Sequence, residues 1–524
     1  MKKKEFFLGL VVVLVLFTCY YYLSQLYLKA MELPSSLDQN YPYFKDLFYL
    51  IFFSLLLFAG LLIILEGRDP SKTLAWLMVL IFLPIAGFAL YLIFGRQFRK
   101  KRITAKKRRL NDHLNYPLQD SPPMAGQNPK GLPPELHIAK EKERLMQLIL
   151  NNATFPPTIN NEVKVLKNGK EIFPAFLQAM EEAQKYIYLE TYIFRNDRLG
   201  TTIGTLLCVK ARSGVKVRVL CDALGSRHLS KQFIAKLRDA GVEIEPFLPI
   251  NRWPFHRKIN YRNHRKILVV DGKIGFIGGA NIGDEYLGRH PKIGPWRDTQ
   301  LQLQGNAVRF LERVFLQDWS FTTKKPMELN EEPLFSEQPD TGNRIVQIMA
   351  SGPDTQWEAI MQVYYYTIAT AEKSVFITSP YFIPNESILT ALKTTALSGV
   401  DVKLLLPAKP DYKIVYWATM SYLEELLAAG VEIYFYRKGF IHAKVLVVDG
   451  ILSSIGSANM DLRSFSLNFE VNALIYDKET ATRLQNDFLT DLQYAKKLEP
   501  AEFQERPLRH RFAESLARLF SPLL

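Results

Sequence analysis

Cysteine is nearly absent from this 524-residue chain: Cys19, Cys208 and Cys221 are the only three, and their spacing makes neither a metal knuckle nor a disulfide framework. That excludes a disulfide-stapled scaffold and fits a reducing compartment, with Cys208 and Cys221 expected in the core and Cys19 in an apolar stretch. Also missing are a Walker-type phosphate loop, a His-Glu-x-x-His helix and a Gly-x-Ser-x-Gly elbow. Nucleotide-driven, zinc-dependent and serine-hydrolase chemistries therefore have no visible equipment, and the expected cofactor and metal complement is none. Histidine is scarce too, at eight residues, so two placed alike carry information.

Those two sit in a duplicated pattern. His264-Arg265-Lys266-Ile267-Leu268-Val269-Val270-Asp271 recurs 178 residues later as His442-Ala443-Lys444-Val445-Leu446-Val447-Val448-Asp449. Each copy runs on into a glycine-bearing turn and an asparagine: Gly278-Gly279-Ala280-Asn281 and Gly456-Ser457-Ala458-Asn459. A strand alternates its side chains, so His and Lys of each copy share a face, while the apolar run anchors the strand and Asp-Gly closes it with a turn. Two imidazoles and two ammonium groups brought together suit a phosphate ester. Lys266 and Lys444 would offset its charge, and Asn281 and Asn459 would donate to its non-bridging oxygens.

The duplication extends beyond the motif. Residues 183–189 match 371–377, 213–220 match 398–405 and 240–244 match 429–433, at offsets of 188, 185 and 189. In each half a helical pattern ends at glycine and leads into a β-branched run, which argues an α/β sheet layered by helices.

The His-x-Lys-x-x-x-x-Asp pair resembles the phospholipase D superfamily. Its flanks, Asn281-Ile282-Gly283-Asp284-Glu285-Tyr286, Trp296-Arg297-Asp298-Thr299 and Ala458-Asn459-Met460-Asp461-Leu462-Arg463-Ser464-Phe465, resemble the bacterial cardiolipin synthases over nearly the whole chain. The resemblance implies two pseudo-symmetric α/β/α sandwich halves with the active site at their interface, preceded by N-terminal transmembrane helices. It implies transfer of a phosphatidyl group from one phosphatidylglycerol to another, with His264 as nucleophile and His442 as acid/base, passing through a phosphatidyl-histidine. The two rings must then hold opposite protonation states near neutral pH. Asp298, 34 residues after His264, and Glu470, 28 residues after His442, sit at the family's carboxylate positions and are expected to orient the imidazoles. For Asp298 the alternative is a salt bridge with Arg297 or another arginine. Asp271 and Asp449, though part of the catalytic motif, read as braces of the strand ends or as plain turn residues.

Three uncharged apolar stretches, 6–23, 47–65 and 74–94, approach the ~20 residues that cross a bilayer. The first has a basic front like a signal peptide but no convincing cleavage site, and Pro84 with Gly87 suggests a kink in the third. Nine of the +14 net charges lie at 96–109, which places a multi-pass protein in the cell membrane with its catalytic region on the cytoplasmic side and anionic lipid headgroups as partners. Expected boundaries are a membrane region over 1–109, a linker over 110–135, halves over 136–325 and 344–500 joined by 326–343, and an amphipathic tail over 501–524. Within that tail, Leu516, Leu519, Phe520 and Leu523 share one helical face, for the membrane interface or for packing on the halves. The basic-aromatic segment 252–258 fits a headgroup entrance or an ordinary surface loop.

A phospholipase D-type hydrolase, or a transferase with another acceptor alcohol, shares every motif named above. No nucleic-acid partner is expected, because the charge gathers beside the apolar stretches rather than along a stacking groove. Oligomeric state and acyl-chain preference are not encoded legibly.

Overall fold

The computed structural model describes residues 54, 57–65, 70–83, 87–88, 90–91, 107, 140–153, 155–249, 260–289, 294–325 and 341–521. The apolar stretch 6–23 with Cys19, the basic run apart from Lys107, the linkers 110–135 and 326–340, and segment 252–258 lie outside those residues. Residues 1–99 and 100–524 form two separate compact units.

In the first unit a helix spans Pro70–Phe82. Ala59, Ile63, Leu80 and Tyr91 are buried together, while Leu57, Phe58, Leu61, Leu65, Met78 and Ile81 face outward. The helix ends at Phe82, inside the apolar stretch 74–94 and two positions before Pro84. No helix among the described residues is long and apolar enough to cross a membrane.

The second unit carries its strands in two matching sets. The first set is β1 (Thr158–Lys167), β2 (Tyr186–Thr191), β3 (Lys216–Asp222), β4 (Glu243–Phe247), β5 (Arg262–Asn263), β6 (Ile267–Val270), β7 (Ile274–Gly278), β8 (Trp296–Arg297) and β9 (Thr299–Gly305). The second opens with β10 (Arg344–Ser351), β11 (Ser374–Thr378), β12 (Phe382–Ile383), β13 (Asp401–Pro407), β14 (Glu432–Tyr436) and β15 (Phe440–Ile441). It closes with β16 (Val445–Val448), β17 (Leu452–Gly456), β18 (Met460–Asp461), β19 (Asn468–Tyr476) and β20 (Ala495–Lys497).

Sixteen strands make one sheet, in the order β20-β14-β13-β11-β16-β17-β19-β10-β1-β9-β7-β6-β2-β3-β4, with β5 on β19. The order reads almost the same from either end. The halves join where β1 and β10 pair antiparallel, Thr158 opposite Val346. Parallel neighbours β2-β3-β4 and β11-β13-β14 are linked by helices, as α/β crossovers require.

The strands alternate faces, and the core follows. Ile187 and Leu189 pack under helices Asn168–Glu182 and Arg198–Arg212, whereas Tyr186 and Tyr188 point the other way onto helix Ala307–Thr323. The second half repeats this, with Val375 and Ile377 under helices Ala359–Ala369 and Glu386–Leu397, and Phe376 against Phe488 of helix Lys478–Leu492. The result is the expected α/β/α sandwich in duplicate. Cys208 and Cys221 are both buried in the first half.

Helix Lys140–Ala153, which the sequence groups with the first half, buries Leu145 and Ile149 in the second half's core. Apolar spacing shows that a helix has a buried face but not which sheet it meets. The tail forms helix Leu508–Leu519 and lies along helix Lys413–Ala428 of the second unit. Leu523 is outside the described residues.

Candidate active site

Each motif strand is the first arm of a tight hairpin. β6 turns into β7 through Asp271-Gly272 (φ 53° and 65°), and β16 into β17 through Asp449-Gly450 (φ 54° and 66°). Two consecutive left-handed residues are what an Asp-Gly turn of this hairpin type supplies. Asp271 spends its carboxylate on the backbone N–H groups of Gln184, Lys185 and Tyr186, at 2.8, 2.7 and 2.8 Å. Asp449 accepts from Glu372, Lys373 and Ser374 in the same way, at 3.1, 2.7 and 3.1 Å. Both aspartates therefore lie at the far strand ends, bracing the start of β2 and of β11. Their oxygens are taken up by those backbone N–H groups and neither lines the cavity holding the histidines, so these two aspartates of the catalytic motif brace strands rather than meet substrate.

At the other end of each strand the two halves interlock. β5, just before His264, pairs with β19 of the second half, and β15, just before His442, pairs with β8 of the first. His264 N donates to Phe469 O at 2.9 Å and His442 N to Arg297 O at 2.7 Å. This exchange decides which carboxylate meets which ring. His264 Nδ1 lies 3.0 Å from Glu470 Oε1, and His442 Nδ1 lies 2.8 Å from Asp298 Oδ2. Each histidine is thus held by the acid of the opposite half, not by the acid that follows it in its own half. Arg297 does not compete for Asp298: its Nε donates to Asp491 at 2.7 Å and its Nη1 to the Asp298 backbone oxygen at 2.6 Å.

A carboxylate is an acceptor only, so each Nδ1 carries the proton and each Nε2 keeps its lone pair. Burial lifts the Glu470 and Asp298 carboxyls, but the facing histidine and neighbouring lysine outweigh it and hold both below the usual range. Burial first, reinforced by the lysines against the pull of the carboxylates, lowers His264 to about 4 and His442 to about 3. Both rings are therefore held toward the neutral form near pH 7, since desolvation and two buried lysines act on both alike.

Lys266 and Lys444 sit two residues on, each with Nζ 2.6 Å from the carbonyl oxygen of its own histidine. Burial is the main cause that lowers Lys266 well below its ordinary value and Lys444 to about 8. Arg265, between His264 and Lys266, points away and ties Asp318 and Glu470 O beneath the site. Its counterpart Ala443 has no such reach.

One cavity of about 760 Å³ is lined by both histidines, both asparagines, Arg262 and Arg463 among others. Asn281 is fixed by Ile193 N and by Tyr286, whose hydroxyl takes Nδ2 at 2.6 Å. Asn459 leaves a buried Oδ1 without a partner among the described residues. Tyr192 stands edge-on to His264 at 5.1 Å and Trp296 tilts against His442 at 5.1 Å.

Sequence reasoning missed Ser457, whose Oγ donates to Glu470 Oε2 at 2.5 Å, and Asn468, whose Nδ2 donates to Oε1 at 3.2 Å. The signal was available in the alignment of the halves. Ser457 stands where the first half has Gly279, and a Cβ at Gly279 would meet Asp298 Oδ1 at 2.2 Å. The first half therefore needs glycine there, while the second turns the same position into a hydrogen bond.

The comparisons with known proteins agree with this geometry. A family model described as "Cardiolipin synthase, PLD-like domain" matches residues 176–294 and 364–492, one match per half, and "Phospholipase_D-nuclease N-terminal" matches 53–96. The chain is 47% identical over 472 residues to a cardiolipin synthase of Geobacillus kaustophilus, covering 89% of this chain and 92% of that one. It is 42% identical to a probable cardiolipin synthase of Bacillus subtilis, covering 91% and 93%. In fold it resembles the crystal structure of a phosphatidylserine synthase of Haemophilus influenzae, at TM-score 0.56 and 17% identity, covering 74% of this chain and all of the other.

Proposed function

Because the chain belongs to the cardiolipin synthases of the phospholipase D superfamily, we propose that its paired histidines join two phosphatidylglycerol molecules in the cavity between the halves. The protein is a phosphatidyltransferase with cardiolipin synthase function. The observation that carries the reading is one cavity lined by both histidines, each held from behind by a carboxylate of the opposite half.

In the first step Nε2 of His264 attacks the phosphorus of one phosphatidylglycerol. A P–N bond forms, the P–O bond to the headgroup glycerol breaks, and His442 delivers the proton that glycerol carries away. The anionic diester lying between the rings raises the affinity of His442 for that proton. In the second step His442 takes the proton from a hydroxyl of the second phosphatidylglycerol, whose oxygen displaces His264 and leaves as cardiolipin. Lys266, Lys444, Asn281 and Asn459 stabilise the oxygens of the pentacoordinate state, and Glu470 and Asp298 keep each Nε2 directed at phosphorus. Neither step consumes a nucleotide, since one diester bond replaces another.

Membrane embedding of the first unit belongs to the same reading, supported by its outward Leu57, Phe58, Leu61 and Ile81 and by the basic charge that follows. On this reading the nine basic residues at 96–109 keep the catalytic unit on the cytoplasmic face.

Membranes bearing the full chain and phosphatidylglycerol labelled in phosphorus and in headgroup glycerol should yield cardiolipin and free glycerol in equal amounts. Phosphatidic acid in place of cardiolipin would make water the acceptor. Quenching in alkaline detergent, where a phosphorus–histidine bond survives, should trap labelled protein in the wild type and none in His264→Ala.

A further inference from the structure

Helix Leu508–Leu519 is inside out for a surface helix. The stripe it turns toward the protein is small or polar: Glu514 and Ala517 are buried, and Ser521 just beyond the helix is buried too. Glu514 accepts from Arg506 Nε at 2.9 Å, Tyr422 donates its hydroxyl to Ser521 at 3.0 Å, and His510 rests against Trp417 at 5.1 Å. Arg518 reaches Ser421 O at 3.1 Å and Glu425 at 3.2 Å. The opposite stripe is Leu508, Phe512, Leu516 and Leu519, exposed by 80, 71, 47 and 76%. That spacing of four, four and three puts all four side chains on one face. A helix fastened by its polar side, with its apolar side outward, is arranged to meet something apolar.

Two observations select a bilayer surface as the occupant. Arg509 and Arg511 are exposed beside the stripe, giving the Leu/Phe face and cationic flank of helices that lie on anionic lipid. The supporting helix Lys413–Ala428 also begins at the cavity: Tyr412 and Ile414 both line it and are exposed by 63 and 43%. Resting on the phosphatidylglycerol reading above, we infer that the tail helix docks flat on an anionic bilayer and seats the cavity mouth against the surface that supplies its lipid. The polar stripe holds the helix to the catalytic unit while the apolar stripe enters the headgroup–acyl boundary, so a two-chain substrate brings its phosphorus to the histidines without crossing water.

The test uses the full chain in vesicles of phosphatidylethanolamine with phosphatidylglycerol. Phe512→Cys in a Cys19→Ser background, labelled with a fluorophore, should be quenched by shallow spin-labelled lipid, and less so when phosphatidylglycerol is omitted. Phe512→Glu with Leu516→Glu should lower the initial rate on vesicles about ten-fold, since two large apolar anchors are lost, yet leave turnover of dispersed short-chain phosphatidylglycerol unchanged. An unquenched probe overturns the inference. So does an equal loss on both substrates, or a self-associated wild type that the double variant makes monomeric, because a second copy would then be the occupant. A quenched probe on a protein that makes no cardiolipin from either substrate would leave docking standing and remove the transferase reading instead.

Discussion

At the scale of single residues, the site depends on buried carboxylates whose task is to fix a tautomer. Glu470→Gln keeps the shape but can offer His264 an amide N–H in place of an acceptor, so Nδ1 need no longer carry the proton. Turnover should fall by about 10²–10⁴ with little change in KM, as tautomer-fixing carboxylates elsewhere suggest, measured as cardiolipin formed per labelled phosphatidylglycerol. Asp298→Asn should behave alike through His442, where Trp296 Nε1 already donates to the same carboxylate at 3.3 Å.

The lysines set an alkaline limit. Lys444 is lowered to about 8 chiefly by burial, so kcat/KM should decline as pH rises through about 8, while Lys444→Arg, which does not titrate there, should lose that limb whatever activity it keeps. Stability runs the other way. The unfolded chain holds the lysine proton up to about 10.4, so unfolding takes up protons between the two values and the folded state gains stability as pH rises through that window. A kcat/KM profile flat to pH 9 would remove the role given to this ammonium.

At the scale of elements, the hairpins and their braces decide where the histidines stand. Asp449→Ala deletes an acceptor shared by three backbone N–H groups; those groups lie near solvent, so the expected loss is about 1–3 kcal/mol in denaturant unfolding. Asp271→Ala should cost at least as much, because Tyr186 N is buried. In both variants the protein that remains folded should retain most of its activity per molecule, since neither carboxylate lines the cavity. A folded Asp271→Ala enzyme without activity would return that aspartate to the chemistry.

These elements were legible early: the Asp-Gly turns, the period-two apolar runs and the glycine-terminated helices all follow from local backbone preference, and Gly214 and Gly399 do close their helices at φ near +90°. The partner of helix Lys140–Ala153 was not legible, because an apolar face is the same face whichever sheet covers it.

At the scale of the whole molecule, the strand exchange makes one site from two halves. A double-mutant cycle on thermal stability should show His264 coupled to Glu470, 206 residues away in sequence, by more than about 0.5 kcal/mol, and His264 with Asp298 additive within about that figure. The reverse pattern would mean that each half holds its own acid. The same exchange explains why all eight residues of the two His/Lys pairs, the asparagines and the carboxylates were named from sequence while their pairing was not.

The sequence by itself determined the duplicated α/β halves, the His and Lys side chains on one strand face and the turn that ends each strand, because these rest on interactions between residues close along the chain. Only the tertiary structure decided that Glu470 serves His264 and Asp298 serves His442, that both rings are held toward the neutral form near pH 7, and that the tail helix turns its leucines outward. Those outcomes depend on which surfaces meet and how deeply they bury charge, and neither is written in the order of residues along one strand or helix.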